Sequence, residues 1–352
     1  MARRGPDRAI RRAGAGGVTV TTRSPADDAV LALLLEVAGT PKPGNVDRRR
    51  DLADLRFESF LGGAVGAREG LERAARGAAV GHAFERAVAG MAARARTNTQ
   101  FGCLLLLVPL LRATRTGDLS PSGVDRVARE TTVDDAVAFY RGFERVDVAV
   151  GDPPADAPAL DVRRGADAEP DLRGRGLTLR DVMATSANVG DDAERVPDRN
   201  AQEWVEGFPR TFRAAEWILA DEGPLADRAA RTFLGLLATE PDTLVATAHG
   251  PATAREASAE ARGVVSDANP TDANPATDAN PTAPREGTPP DADAVHGIDL
   301  EAAESLAASF LERGINPGTT ADLTCGALYV ALRRGAETGE AGASRNGREA
   351  EP

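Results

Sequence analysis

The sequence predicts an all-α fold: a single multi-helix domain carrying a disordered low-complexity insertion. Three observations predict it. Apolar residues recur three and four positions apart in segment after segment, which is the spacing of one helix face. Helix caps open several of these segments, and Gly or Pro closes them. Alternating apolar and polar runs are scarce. "VDVAV", Val146 to Val150, is the best of them, and one such run does not make a sheet.

Residues 1–23 read as a flexible tail, basic but without the apolar run of a secretory signal. Ser24 then opens a helix, with Pro25 at its first position and Asp27 as the capping acid. Val30, Leu33, Leu34 and Val37 form its apolar face. Gly39 ends it, and Pro41 prevents continuation. Helical spacing follows at about 54–75, 77–95, 99–113, 121–129 and 133–149, with Thr132 and Asp135 as a second capping box. Residues 151–176 read as a long polar loop. Helices resume near 178–187, 200–221, 224–238 and 243–260. Residues 264–296 hold the unit DANP at 267, 272 and 278. That stretch is too poor in large apolar groups to offset the entropy of ordering, so it reads as a disordered insertion. Helices return at 299–312 and 320–334 inside a domain spanning 24–335. Residues 336–352 read as a second flexible tail.

Composition narrows the setting. The chain has 352 residues, 54 of them acidic and 42 basic, for a formal net charge of −12. Of the basic residues only Lys42 is a lysine. This resembles the surface of a protein adapted to concentrated salt, where long-range charge effects are screened. Fourteen aromatics leave little for base stacking, so nucleic acid is not an expected partner. The longest apolar run, Cys103 to Leu111, is too short to span a bilayer, so no membrane is expected either. Cys103 and Cys325 sit in apolar runs and read as buried core residues of a cytoplasmic protein. Oligomeric state is not legible.

In an all-helical chain, function falls to the joints. The first, "TPKPGNVDRRRDLADL", puts Lys42 and Arg48 beside Asp47, Asp51 and Asp54, with Gly44 and Asn45 at the turn. Cations, hard oxygen ligands and a glycine turn are what a polyphosphate with Mg²⁺ needs. A solvated charged linker accounts for the same residues. A lone lysine suggests a position where a compact point charge fits and a guanidinium fork does not. The second joint, "RTNTQFG", offers Asn98 and Thr99 at a helix start, as anion donors or as an ordinary cap. The third, "NPGTTADL", places Pro317, Gly318, Thr320 and Asp322 at another helix start. The fourth, "PDTLVATAHG", pairs Asp242 with His249, one of three histidines.

Taken in order, these loops resemble the triphosphoribosyl-dephospho-CoA synthase family. TPKPG-x-VD is matched at Thr40 to Asp47, the family's D-M-D segment at Asp54 and Leu55, and its N-T at Asn98 and Thr99. D-T is matched at Asp242 and Thr243, and the PG-x-x-ADL element at Pro317 to Leu323. The likeness runs from about residue 27 to 334. Gln100 and Phe101 stand where the family has histidine and lysine, Thr319 replaces a glycine, and Leu52 falls near a family histidine.

The resemblance implies that the 2′-hydroxyl of dephospho-CoA attacks the ribose C1′ of ATP, adenine leaves, and the triphosphate stays on the sugar. It implies Lys42, Asp47 and Arg48 at the triphosphate with Mg²⁺, and Asp54, Asp242 or Asp322 at the attacking hydroxyl. It also implies His249 or Asn98 at the departing adenine. A same-fold transferase with a different acceptor and a non-catalytic nucleotide-binding protein are the other readings these loops allow.

Overall fold

In the computed structural model, residues 23–153, 157–187, 195–267 and 286–337 are described. Among them the chain forms sixteen α-helices and no β-strand; one isolated bridge joins Asp47 to Arg50. The order is α1 (Pro25–Ala38), α2 (Phe57–Arg76), α3 (Val80–Ala95), α4 (Phe101–Arg115), α5 (Pro121–Arg129) and α6 (Val133–Gly142). Then come α7 (Glu169–Arg175), α8 (Leu179–Ala187), α9 (Arg199–Glu206), α10 (Pro209–Ala220), α11 (Leu225–Thr239) and α12 (Thr243–His249). The last four are α13 (Pro251–Asp267), α14 (Ala292–His296), α15 (Ala303–Arg313) and α16 (Gly318–Arg333). Among the described residues no helix is long and apolar enough to cross a membrane.

The caps read from sequence form as hydrogen bonds. The Ser24 hydroxyl accepts from Asp27 N–H, and the Asp27 carboxylate accepts from Ser24 N–H. Thr132 and Asp135 do the same for α6. α4 and α16 are apolar around most of their circumference, the pattern of a helix enclosed on all sides. Both are buried along nearly their whole length. α16 packs on α10, α1, α4 and α11. It is the axis of the core. α2 and α3 form a hairpin in which Gly66 and Gly90 face each other so closely that a Cβ on either would strike the other's backbone.

The structure corrects several sequence boundaries. The 200–221 segment is two helices, because Gly207 (φ 82°) and Phe208 (φ 63°) turn left-handed ahead of Pro209. Gly250 (φ 87°) and Pro251 divide 243–260 in the same way. The 133–149 helix stops at Gly142, and Val146–Val150 joins no sheet. Residues 151–176 are not simply a loop. They form 3₁₀ turns at Pro158–Leu160 and Val162–Ala168, and then α7. Ala168 and Leu172 are buried there, and Tyr140 donates its hydroxyl to the Leu160 carbonyl at 2.7 Å. The 264–296 segment is ordered at both ends. α13 runs to Asp267 with Val265 buried, and α14 seats Val295 against Gly235 and Trp217. The remaining DANP repeats and most of both tails lie outside the described residues.

Candidate active site

The loop after α1 is held from inside. Asp47 is fully buried. One of its oxygens accepts from Thr40 Oγ1 (2.9 Å), Lys42 N–H (3.2 Å) and Arg50 Nη1 (2.8 Å), and the other from Arg49 N–H (2.8 Å). A carboxylate with four donors and no exposed surface organises the turn and is not presented to a cation from solvent. The donor set does not fit Mg²⁺ at Asp47. Among the described residues no cluster of three or more His, Cys, Asp or Glu side chains could hold a metal.

Lys42 does not face solvent. It is fully buried; its ammonium donates to the Glu36 carboxylate and to Asn45 Oδ1 (3.0 Å), and lies 5.9 Å from the centre of the Phe233 ring. Burial pushes the Glu36 carboxyl up, against the pull of the Lys42 charge. Here the reason for a lysine is steric: a slender stem ends in a point charge inside a closed, acid-lined space. Arg48 and Arg49 lie on the surface, paired with Asp227 (3.7 Å) and Glu304 (2.9 Å). Asp54 is exposed and makes no hydrogen bond or ion pair among the described residues.

The loop then docks on the turn before α16. Asn45 Nδ2 donates to Asn316 Oδ1 at 2.9 Å. Gly44 (φ 69°) lies against Ile315, where a Cβ would collide with the carbonyl oxygen. The turn needs glycine for both its left-handed backbone and its close approach. Two motifs far apart in sequence thus become one surface beside Pro317 and Gly318.

Around this seam the N-terminal ends of α4, α9, α12 and α16 meet. Asp322, in the first turns of α16, accepts from Asn200 Nδ2 of α9 at 2.8 Å and from Cys103 Sγ of α4 at 3.3 Å. It lies so close to Gly102 that a side chain there would displace it. Burial raises Asp322 to about 7, the bonds from Asn200 and Cys103 oppose the rise, and the Glu36 and Asp242 charges add to it. Part of its surface stays accessible. The adjacent Cys325 thiol, followed by burial, pushes the Cys103 thiol well above its usual value, so Cys103 stays a protonated donor to Asp322. Asn200 Oδ1 is buried without a partner. The group can therefore hold or release a proton near neutrality.

Asp242 has a different task. One oxygen caps α12 by accepting from Leu244 N–H (2.8 Å) and Val245 N–H (3.1 Å). The other accepts from Thr320 N–H (2.7 Å) and Thr320 Oγ1 (2.8 Å). It ties two helix starts together and is buried. All of its acceptor capacity is engaged in joining the two helix starts. His249 is exposed at the end of α12, with Nε2 3.0 Å from the Gly314 carbonyl. Asn98 caps Phe101 N–H at 3.2 Å, while Thr99 Oγ1 is buried and unpartnered. Phe101 points into the core between Phe84 and Phe143, with ring centroids 5.0 and 4.8 Å away. Gln100 Nε2 donates to the Leu33 carbonyl. The two departures from the family motif therefore fall on inward-facing side chains.

The structure brings Lys42, Gly44, Asn45, Pro317, Gly318, Thr320, Asp242 and Asp322 together, and leaves Asp54 and Arg48 at the surface. Sequence reading missed Glu36, whose signal was a lone acid in the apolar run "LLLEVA". It also missed Asn200, which carries no signal within an ordinary helical stretch.

A solved structure of a proposed triphosphoribosyl-dephospho-CoA synthase from Archaeoglobus fulgidus shares the fold. Its TM-score is 0.54 at 22% identity, covering 78% of this chain and 99% of that one. A search of curated proteins finds no match. The family CitG, described as ATP:dephospho-CoA triphosphoribosyl transferase, matches residues 22–340, a span that takes in every loop of the seam. The chain belongs to the ATP:dephospho-CoA triphosphoribosyl transferase family.

Proposed function

We propose that the chain transfers the 5-triphosphoribosyl group of ATP to the 2′-hydroxyl of dephospho-CoA, with Asp322 as the proton acceptor. The observation that carries the residue assignment is its carboxyl, raised to about 7 and held by Asn200 and Cys103 where four helix starts meet. In the reaction the acceptor O2′–C1′ bond forms and the C1′–N9 bond to adenine breaks. The hydroxyl gives up one proton and adenine gains one, so the exchange is proton-neutral. A carboxyl poised near 7 can take that proton and return it. Its negative charge also faces the oxocarbenium-like sugar. The gathered helix N-termini favour the anionic triphosphate.

In this reading Lys42 and Asp47 fix the loop that shapes the site, and Asn45 with Gly44 fixes its seat on α16. Asp54, Arg48 and His249 have no assigned part. Magnesium enters only as the counter-ion that the triphosphate brings with it. A cytoplasmic setting, adaptation to concentrated salt and the absence of nucleic-acid or membrane partners belong to the same proposal, supported by composition.

The test is release of free adenine from ATP, followed with and without dephospho-CoA, for wild type and Asp322→Asn. Dephospho-CoA-dependent release that collapses in the variant is the expected result. Adenine release with another acceptor only would reassign the acceptor. No release under any condition, with ATP still bound, would make the chain a binding protein.

A further inference from the structure

Beside the seam, and sharing Asp242 and Thr320 with it, is a cleft of about 290 Å³ including its open mouth, lined by Arg199, Arg210, Arg213, Glu240, Thr319 and Thr320 among others. We propose that this arginine cleft binds a polyphosphate group of a substrate. The inference rests on the transfer reading only for the identity of that substrate.

The three guanidiniums differ in their freedom. Arg210 is fixed by Glu206 (2.8 Å), Glu240 (2.7 Å), Glu203 (3.3 Å) and Gln202 (3.0 Å). Arg199 is fixed by Gln202 (2.8 Å) and Glu240 (3.2 Å). Arg213 has no hydrogen bond or ion pair among the described residues. Its guanidinium lies 5.9 Å from the centre of the Trp217 ring, and its Nε is buried and unpartnered. A cation that is partly desolvated without a directly paired anion costs stability until one meets it. Burial and the neighbouring Arg210 charge disfavour its protonated form, opposed by the charges of Glu240 and Glu203. An arriving phosphoryl group supplies the missing acceptors, and a planar fork suits it.

Arg210 and Arg199 are answered by Glu203, Glu206 and Glu240, and Asp242 by four donors on α12 and α16, which leaves Arg213 as the guanidinium of the lining without an ion pair among the described residues. Thr319, at the start of the sixteen-residue α16, makes no side-chain hydrogen bond among the described residues and adds a hydroxyl. Most of that space is the open mouth, so the cleft meets one end of a substrate at its surface and does not enclose it. Asp242 and Thr320 belong both to this lining and to the seam that holds Asp322. A polyphosphate seated here leaves the rest of its carrier beside the proposed proton acceptor.

Polyphosphate could come from the triphosphate of ATP or from the diphosphate of dephospho-CoA, and the test separates them. Inorganic tripolyphosphate is titrated calorimetrically into the full chain at fixed ionic strength, for wild type, Arg213→Gln, Arg213→Ala and Glu240→Gln, each first checked for a wild-type-like melting transition. The expected result is binding by wild type that weakens roughly ten- to a hundredfold without Arg213, and that tightens in Glu240→Gln as the competing charge leaves. Competition by ATP alone assigns the cleft to the transferred group; competition by dephospho-CoA alone assigns it to the acceptor. No binding to wild type overturns the proposal, as does binding unchanged in both Arg213→Gln and Glu240→Gln. Failure of adenine release with tripolyphosphate binding intact would sink the transfer reading and spare the cleft. Adenine release without tripolyphosphate binding would do the reverse.

Discussion

The loop at Thr40–Arg50, docked on the turn before α16, and the α16 start at Gly318–Asp322 treat buried charge in opposite ways. In the loop every buried charge is answered. Lys42 meets Glu36 and Asn45, and Asp47 takes four donors. At the α16 start and the helices beside it the answers are incomplete. Asp322 has two donors and a carboxyl near 7, and Asn200 Oδ1 of α9 and Arg213 Nε of α10 have no partner. Saturated polar groups hold a shape, and an unsaturated one needs an explanation, which in the proposed reading is a ligand. In the proposed reading the motif with the stronger sequence signature is the scaffold, and the one that read as an ordinary helix cap is assigned the chemistry.

The comparison breaks most visibly at Asp322. Asp322→Asn should lower kcat for adenine release by about 10²–10⁴-fold while the fold stays intact. Stability should rise at pH 8. The folded carboxyl titrates near 7 and the unfolded one near 4, so the folded state takes up a proton between those values and the ionised form costs stability above 7. Replacing Asp322 should remove that cost. A variant as active as wild type would end the assignment of Asp322 as base.

On the scaffold side, Lys42→Ala should cost about 3–5 kcal/mol in chemical denaturation, because it strands Glu36 in the core. Lys42→Met combined with Glu36→Gln should recover much of that loss, a coupling that a surface phosphate ligand would not show. If Lys42→Ala instead melts like wild type and binds ATP poorly, the lysine is a ligand contact and the contrast between the regions dissolves.

A smaller effect is set by pH. With Asp322 required as the base, kcat/KM should fall about tenfold from pH 6 to 5 and level off above about 7.5, the acid limb tracking its ionised fraction. A flat profile across 5–8 would exclude it. The smallest effect is expected at exposed groups outside both regions. Asp54→Ala and His249→Ala should stay within about 0.5 kcal/mol in stability and within twofold in adenine release. A large loss of activity in either would move the site.

Much of the helical framework was legible because its signals are local. The Ser24–Asp27 and Thr132–Asp135 boxes, the Pro starts and the periodic apolar faces each lie within one or two turns of chain. Gly207–Phe208–Pro209 and Gly250–Pro251 were local signals too, and reading through them merged two pairs of helices. Residues 169–176 carried a Pro start and a Gly stop that the surrounding polar composition hid.

By itself the sequence determined the all-α class, the run of caps and stops, and the order of the loops that mark the family. Which partners each charged side chain meets, and how deeply it is buried, were decided only in three dimensions. Asn45 meets Asn316 across 271 positions, and Asn200 meets Asp322 across 122. The reason is physical: a cap is completed by neighbours in the chain, whereas the burial, partners and proton affinity of a carboxylate depend on what distant helices bring to it.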